Sequence, residues 1–346
     1  MYMNETKVTL RQQKILDILA IKDRFTRLEL ASALATIYSV SKPTLARDLK
    51  SLLASKQIQI SGAGRSTSYS LSTAHPLLKP VNLALYFELE PDQRIAARKQ
   101  FDPEIFDRLS HLFTPTEINE LEHVYKPFPQ NPNRRELERF VIELSWKSSK
   151  IEGNTYSLLE TETLIKDSRN APGKSTSDTI MILNHKSAFE TILEHPNDFS
   201  SLNLSSVLQL HNKLISGLSI PTGIRTTRVG ISGTAYIPPD NQWQLTEYFN
   251  STIKLINQSS FPLEKALIAS AMIAYLQPFA DGNKRTARML TNAILIAHHH
   301  YPLSYRSIDE NEYKQALILF FETNNLYHLK RLLIDQYRFA LSTYSL

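Results

Sequence analysis

The segment at residues 275–290, YLQPFADGNKRTARML, combines residue types that bind phosphate groups. Pro278 disfavours a helical backbone at the residue before it, so the preceding apolar helix should end near Gln277 and be followed by a loop. A second helix should start near Lys284, where unpaired backbone N–H groups and the helix dipole attract anions. Lys284, Arg285 and Arg288 add three full positive charges near the start of this helix. The segment therefore predicts a site for a phosphorylated ligand.

The loop between these two helices supplies the other residue types that such a site needs. We expect Asn283 to cap the second helix and Phe279 to anchor the loop in the core. Gly282 would let a ligand approach the backbone closely. Asp281 could hold a Mg²⁺ ion that bridges phosphate groups. The simpler alternative is a helix whose capped, basic first turn binds no ligand.

The order of these residues resembles the motif of the Fic family, H-x-F-x-[DE]-G-N-[GK]-R-x-x-R. Residues 277–288 match every defined position except the first, where Gln277 stands in place of histidine. The supporting resemblance extends over roughly residues 90–340, so it is not confined to one loop. It implies a mainly α fold, with an all-helical core that carries a β-hairpin flap.

The resemblance also implies a reaction and a role for each residue of the loop. Members of this family usually transfer AMP from ATP to a Tyr, Ser or Thr hydroxyl of a protein. ATP is then the expected substrate, and Mg²⁺, ligated by Asp281, the expected cofactor. Five residues would bind the phosphates: Gly282, Asn283 and Lys284 as an anion hole, Arg285 at the β-phosphate and Arg288 at the γ-phosphate.

Two positions of the motif make the reaction less certain. The first residue should be the histidine that removes the proton of the target hydroxyl, and Gln277 has no group that titrates near neutral pH. A positioned proton acceptor typically contributes about 10²–10⁴-fold in rate, so we expect weak or no activity. Lys284 stands where many AMP transferases of the family have glycine. Lysine also occurs there in the Doc toxin branch, which transfers phosphate, so the transferred group stays open.

A second motif lies upstream, in SSKIEGN at residues 148–154. It is similar to the inhibitory motif of the family, [ST]-x-x-x-E-[GN], with Ser148, Glu152 and Gly153 at the defined positions. The resemblance implies an inhibitory helix near residues 135–153. The Glu152 carboxylate would then pair with Arg288 and occupy the position of the γ-phosphate. The alternative is that Glu152 is an ordinary surface carboxylate at a helix end.

The segment TGIRTTRVGISGTAYIPPD, residues 222–240, interrupts the helical patterns. Its alternating apolar and polar residues and its glycines predict a β-hairpin. It resembles the flap of the Fic family, which aligns a target protein by adding a strand to it. The residues at the centre of this flap would be Arg228, Val229, Gly230 and Ile231.

The first 75 residues are basic and have a different pattern. They hold 11 Lys+Arg and 5 Asp+Glu, a net charge of +6 against −1 for the remainder of the chain. Three helical patterns are followed by an alternating stretch around Gly62 and Gly64, which predicts a hairpin. This layout resembles a winged helix-turn-helix, which implies contact with DNA. The contacting residues would be Lys42, Thr44, Arg47 and Arg65. Docking to another protein is the alternative.

We therefore divide the chain into a winged helix-turn-helix at 1–75, a connector at 76–115 and a Fic domain at 116–346. The sequence has no cysteine, which excludes disulfide frameworks and suits a reducing cytosol. The N-terminus is polar, and the longest apolar run, at 266–276, is too short to span a bilayer. We expect a cytoplasmic protein without a membrane partner, and the resemblance implies a possible homodimer.

Three functional hypotheses remain open from the sequence. The first is a protein adenylyltransferase restrained by Glu152, with a protein hydroxyl as its target. The second is a catalytically inactive regulator that binds ATP and DNA, because the phosphate-binding residues are kept while the base is replaced by Gln277. The third is an interaction scaffold that binds no nucleotide. We interpret His211 as a core or supporting histidine rather than as a replacement base.

Overall fold

In this computed structural model the described residues are 9–21, 24–35, 40–55, 57–72, 75–94 and 97–345, without the side chain of Arg65. The described chain is mainly helical, as the sequence predicts. The first third holds α1 (Leu10–Ile21), α2 (Arg27–Ala35), α3 (Lys42–Ala54), α4 (Leu83–Tyr86) and α5 (Pro115–His123), with strands β1 (Phe25–Thr26), β2 (Ile58–Ser61) and β3 (Ser68–Leu71). The remainder holds α6 (Arg134–Ile151), α7 (Leu158–Asp167), α8 (Thr176–Glu194), α9 (Leu204–Ile215), α10 (Gln242–Gln258), α11 (Pro262–Leu276), α12 (Asn283–Ala297), α13 (Glu310–Thr323) and α14 (Tyr327–Tyr344).

The N-terminal unit, residues 9–72 as described, combines α1–α3 with a small antiparallel sheet of order β1-β3-β2. The predicted hairpin is present, with Ile58 opposite Leu71. Reciprocal hydrogen bonds between Thr26 and Glu29 cap α2, and the Ser41 hydroxyl caps α3. Both caps follow from the local sequence, because Thr and Ser are favoured immediately before a helix and Glu29 stands where a capping box needs it. Strand β1 was not predicted, because two residues are too few to show a period.

Helix α11 is the centre of the helical body, which comprises α5–α14. Every residue from Leu263 to Leu276 is buried, so the helix is enclosed on all sides. Beyond Glu264 and Lys265 in its first turn, its sequence is apolar or small on every side, as a buried helix requires. Helix α12 packs along it, and the loop between them, residues 277–282, carries the predicted phosphate site. No helix among the described residues has the length and hydropathy that crossing a membrane would require.

The flap segment, residues 222–240, is not the β-hairpin that the sequence predicted. All of its residues are described, and none lies in a strand. Its one ladder contact is a parallel bridge between Ile237 and Gln100 of the connector. The two halves of the segment are instead held by other parts of the protein. The alternating pattern therefore reflects contacts with the rest of the body and not pairing between two strands. A two-stranded hairpin without further strands is rarely stable.

The connector, residues 76–115, is packed against the body. Its backbone bonds the turn between α13 and α14: the Leu326 N–H donates to the Leu77 carbonyl at 2.6 Å. The Asn325 side-chain amide donates to the Lys79 carbonyl at 2.8 Å. The connector also contributes Tyr86 to the apolar core of the N-terminal unit, which is completed by Leu319 of α13. The N-terminal unit is therefore joined to the body by packing as well as by the chain.

Leu290 tests the contribution of the α11–α12 packing, because it is fully buried on α12. We expect Leu290→Ala to lower the free energy of unfolding by about 2–5 kcal/mol through lost burial and a residual cavity. Leu159 is 74% exposed on α7, so Leu159→Ala should change it by less than about 0.5 kcal/mol. Urea denaturation followed by circular dichroism measures both variants. Equal effects would contradict a core centred on α11 and α12.

Candidate active site

The loop between α11 and α12 is shaped from inside by Asn283. Asn283 is the first residue of α12, and Gly282, at φ 79°, is the N-cap, so the prediction that Asn283 caps the helix is wrong. Its side chain instead clasps Phe279: the Phe279 N–H donates to Oδ1 at 2.9 Å, and Nδ2 donates to the Phe279 carbonyl at 2.8 Å. Any contact of Asn283 with a phosphate is therefore left to its backbone N–H.

The first turn of α12 presents backbone donors beside buried positive charge. The Gly282 N–H is taken by Asp281 Oδ1 at 2.6 Å, and the next three N–H groups have no partner within the helix. Gly282 has no Cβ, and one added there would lie 3.2 Å from a methyl group of Ile215 in a left-handed backbone conformation. The guanidinium of Arg285 is buried, with Asp281 at 3.4 Å. This arrangement can bind an anionic group without rearranging the helix.

Glu152 lies between two of the predicted phosphate-binding cations. It follows directly after α6, and its Oε1 is 2.9 Å from Nη2 of Arg288. Its Oε2 is 3.1 Å from Nζ of Lys284. Burial alone would raise the pKa of Glu152, but Arg288 and Lys284 outweigh it and lower the pKa to about 2. The pairing with Arg288 is the geometry that the sequence predicted, and the second contact, with Lys284, was not foreseen.

Arg288 is held in place by a chain of hydrogen bonds that begins at His185 on α8. The guanidinium is fully buried and donates from Nε to the Ser148 hydroxyl at 2.9 Å and from Nη2 to the Ser148 carbonyl at 2.8 Å. The Ser148 hydroxyl lies 2.8 Å from Nε2 of His185, whose Nδ1 donates to the Met181 carbonyl at 2.8 Å. Burial lowers the pKa of His185 to about 3, so the ring is neutral. Sequence reasoning missed His185, since nothing in its own helix marks it.

Asp281 is the predicted magnesium ligand. Its side chain is 69% exposed, so it can reach a ligand in the solvent. Within the described ranges no group of three or more His, Cys, Asp or Glu side chains could hold a metal ion. A single carboxylate suits Mg²⁺ when the remaining ligands are water and substrate phosphates. The donor set therefore fits a Mg²⁺ ion that arrives with a nucleotide.

Gln277 turns its side chain back onto the helix that it ends. Its backbone is left-handed, at φ 49°, and its Nε2 donates to the Ala274 carbonyl at 2.7 Å. Its own carbonyl accepts from Nε of Arg225 at 2.6 Å, and the Arg225 N–H donates to the Pro278 carbonyl at 3.0 Å. Arg225 also donates to the Thr227 and Pro239 carbonyls. This arginine, which sequence reasoning missed, therefore joins the start and end of the flap segment to the loop.

His211 is a buried supporting residue, as the sequence interpretation holds. Its ring stacks on Phe279 with centroids 3.7 Å apart and 8° between the planes. The Thr286 hydroxyl donates to the Gly282 carbonyl at 2.9 Å and lies 3.1 Å from Nδ1 of His211, which therefore donates to it. Burial, with a smaller effect of Arg285, lowers the pKa of His211 to about 4. The ring is neutral at pH 7 and supports the loop from below.

The remaining predicted residues lie on two separate surfaces. In the flap segment, Arg228 is exposed and pairs with Asp240 at 2.7 Å. Its neighbours Val229, Gly230 and Ile231 are exposed or half-buried. On α3, Lys42 and Arg47 are exposed and Thr44 is half-buried. The side chain of Arg65 lies outside the described residues, so its predicted contact with DNA is not located. The structure does not bring the α3 residues to the α12 site.

Comparison with known proteins gives one family. Residues 201–295 match the model of the Fic/DOC family. Protein adenylyltransferase Fic of Nematostella vectensis is 26% identical over 229 residues, which are 63% of this chain and 51% of that protein. The corresponding protein of Aedes aegypti is 27% identical over 190 residues, 53% of this chain and 38% of that protein. The chain thus spans about half the length, or less, of these curated relatives.

Two solved structures share the fold. A Fic domain containing signaling protein from Bacteroides thetaiotaomicron superposes with a TM-score of 0.54 at 19% identity, over 69% of this chain and 96% of that one. Fic-1 from C. elegans superposes with a TM-score of 0.50 at 20% identity, over 70% of this chain and 68% of that one. The family model covers the flap segment, the loop before α12 and α12 as far as residue 295, where the residues of the loop motif lie. Residues 201–295 of this chain therefore form a Fic/DOC family domain.

Proposed function

We propose that this chain is a protein adenylyltransferase of the Fic type, held inactive by Glu152 and impaired by Gln277. The observation that carries the proposal is the Glu152 carboxylate between Lys284 and Arg288 at a basic helix start. A carboxylate in this position stands where an anionic ligand of the same two cations would bind. The curated relatives over this part of the chain are named protein adenylyltransferases, which supports ATP as the ligand.

The proposed reaction moves AMP from ATP to a hydroxyl of a target protein. The hydroxyl oxygen attacks the α-phosphorus, the bond from that phosphorus to the bridging oxygen of the β-phosphate breaks, and pyrophosphate leaves. The hydroxyl proton is released to water, because Gln277 cannot accept it. Backbone N–H groups at residues 283–285 and the Arg285 guanidinium would stabilise the charge on the phosphates. Mg²⁺, held by Asp281, would supply further neutralisation of that charge. The flap segment would align the target backbone, since residues 226–233 lie between two fixed ends.

The proposed inhibition is competition for Arg288. In the family resemblance this arginine binds the γ-phosphate, and here its Nη2 is occupied by Glu152 and by the Ser148 carbonyl. Lys284 is engaged by the same carboxylate, so two cations are withheld together. ATP would then bind without its terminal phosphate in the productive position. A ligand must displace Glu152 before both cations become available.

Gln277 favours a second candidate function, a catalytically inactive regulator that binds ATP and DNA. An amide cannot accept the hydroxyl proton at neutral pH, and its Nε2 already donates to the Ala274 carbonyl. The N-terminal unit supports the DNA-binding part of this candidate. Its three helices, its hairpin and the exposed Lys42 and Arg47 on α3 resemble a winged helix-turn-helix.

One transfer assay separates the two candidates. Purified protein is incubated with a cell extract and ATP labelled at the α-phosphate, as wild type, Glu152→Gly, Gln277→His and the double variant. We expect the double variant to be the only form that labels protein, or to label it at least about 10²-fold more than the other forms. It alone has both a proton acceptor and a free Arg288. If Glu152→Gly labelled protein as strongly as the double variant, Gln277 would be sufficient for transfer. That outcome would exclude the inactive regulator. No labelling by any variant would overturn the transferase proposal.

Binding of ATP tests the inhibition independently of catalysis. We expect Glu152→Gln to bind ATP with Mg²⁺ at least about tenfold more tightly than wild type, because it frees two cations. Isothermal calorimetry measures this, with Glu138→Gln as the matched control, since Glu138 is an exposed carboxylate on the same helix. Equal affinities for all three proteins would contradict a lock formed by Glu152. The absence of ATP binding in every form would favour a scaffold.

The pH dependence of this lock follows from the lowered pKa of Glu152. The folded value of about 2 lies below the ordinary 4.5, so the stabilising contact is complete above pH 4.5 and is lost as the pH falls through about 2. We therefore expect the affinity ratio between Glu152→Gln and wild type to stay constant from about pH 5.5 to 8.5. Calorimetry across this range measures it. A ratio that falls towards one near pH 6 would show that the carboxylate is not held as described.

The DNA-binding candidate predicts a salt-dependent interaction through α3. We expect Lys42→Ala and Arg47→Ala each to weaken binding to duplex DNA, and each lost phosphate contact to reduce the salt slope by about 1. Lys213→Ala, an exposed lysine on α9, is the charge-matched control and should have no effect. Fluorescence anisotropy at several salt concentrations measures all three. Equal effects of the three substitutions would indicate non-specific charge attraction only.

A further inference from the structure

Glu322, near the end of α13, is a buried carboxylate that the proposed reaction does not use. It is fully buried and accepts three kinds of donor. The Tyr86 hydroxyl donates to Oε2 at 2.6 Å and the Thr234 hydroxyl to Oε1 at 2.6 Å. Nη1 of Arg94 lies 2.9 Å from Oε1, and the Arg94 side chain is only 6% exposed. The carboxylate is thus well satisfied, but by groups that belong to different segments.

These donors join the flap segment to the connector. Thr234 lies in the flap segment, while Tyr86 and Arg94 lie in the connector. Arg94 also donates to the Gly233 carbonyl at 3.2 Å, so it touches the flap segment directly. The Arg98 N–H of the connector donates to the backbone carbonyl of Glu322 at 2.7 Å. Between the two segments, one carboxylate therefore serves as a common acceptor.

Tyr86 extends this junction to the N-terminal unit. Its ring is buried in the apolar core of that unit, together with Leu319, which precedes Glu322 by one turn of α13. Its hydroxyl is the group that reaches Glu322. A displacement of the N-terminal core would therefore move a donor of the same carboxylate that holds Thr234. The path consists of three contiguous contacts, from apolar packing to Tyr86, from Tyr86 to Glu322, and from Glu322 to Thr234.

We propose that Glu322 is a positioning residue for the flap, and that it couples the flap to the packing of the N-terminal unit. The proposal rests on the proposed function, because it takes the flap as the segment that aligns the target. A buried carboxylate depends on each of its donors, because loss of one removes a hydrogen bond from a charge in a dry environment. The central part of the flap segment, residues 226–233, is held on one side by Arg225 and on the other by this junction. Its position therefore depends on the donors from the connector.

Physical alternatives predict different behaviour. If Glu322 merely stabilises the body, loss of a donor should loosen α13 and α11 as much as the flap. If it positions the flap, loss of the Tyr86 hydroxyl should loosen residues 226–233, although Tyr86 itself is in another segment. Because coupling is reciprocal, loss of the Thr234 hydroxyl should loosen the connector around Tyr86. The phosphate site on α12 should be unaffected in both cases.

Hydrogen–deuterium exchange of the full chain tests the proposal with four single variants and one double variant. Tyr86→Phe and Thr234→Val each remove one hydroxyl from the junction, and together they form a double-mutant cycle. Thr234→Ser keeps the hydroxyl and is the conservative rescue. Thr163→Val removes a hydroxyl from a half-buried position on α7, remote from the junction in the chain, and is the matched control. ATP binding is measured on the same proteins by calorimetry.

We expect Tyr86→Phe and Thr234→Val each to raise exchange in residues 226–233 at least about threefold, and the double variant to raise it by less than the product of the two. Thr234→Ser and Thr163→Val should exchange like wild type, and ATP affinity should be unchanged throughout. Unchanged exchange in the flap of Tyr86→Phe would overturn the coupling. Exchange that rises equally in α13 and α11 would show a purely structural role and would also overturn it. The measurement needs no AMP transfer, so failure of the transferase proposal and failure of this one are distinguishable.

Discussion

The ion pair between Glu152 and Arg288 is the interaction on which the arrangement of the site depends. The Arg288 guanidinium is fully buried, where an isolated charge would be strongly unfavourable. Glu152 compensates it at 2.9 Å, and Lys284 adds a second contact on the other carboxylate oxygen. The fall in the pKa of Glu152 from 4.5 to about 2 corresponds to on the order of 3 kcal/mol in favour of the ionised form. The pair, with Lys284, therefore fixes the end of α6 against the first two turns of α12.

Because Glu152 lies just beyond a helix, its position depends on how that helix is held. Farther along α6, Lys147 pairs with Glu310 at 2.9 Å, and Glu143 pairs with Arg306 at 2.7 Å. These contacts tie α6 to α13 and to the loop before it. Displacing Glu152 from Arg288 thus does not require α6 to unpack. In the proposed function, a change of side-chain position at residue 152 alone would free Arg288 and Lys284 for another anion.

The loop before α12 is rigid for reasons that are internal to the fold. The Asn283 side chain holds both backbone groups of Phe279, and Phe279 stacks on the neutral ring of His211. Beneath it, α11 is buried along its whole length. The N–H groups of the helix start are therefore oriented before any ligand arrives, which lowers the cost of binding an anion. Because this support is fixed, the proposed binding of different ligands would depend mainly on how Glu152 and the flap segment respond to them.

Several features could be predicted from the sequence because they depend on local chemistry. The helices follow from apolar periodicity, and the caps at Thr26 and Ser41 follow from side chains that reach backbone groups three residues away. The basic residues at the start of α12, after Gly282, can likewise be predicted from the local sequence. The pairing of Glu152 with Arg288 was also predicted, but from the resemblance of two short motifs. Periodicity alone does not place residue 152 beside residue 288.

Other features were decided by the tertiary structure. The alternation in residues 222–240 predicted a hairpin, yet Arg225 and the connector hold the segment instead, since the competing partners are more than 40 residues away in the chain. The roles of His185 and Glu322 could not be read from their own helices, because each acts on a segment distant in sequence. The sequence by itself determined the helices, the caps at Thr26 and Ser41, and the charges available for a phosphate site. Only the packing decided which of those charges are already paired, because pairing depends on distances that local sequence does not set.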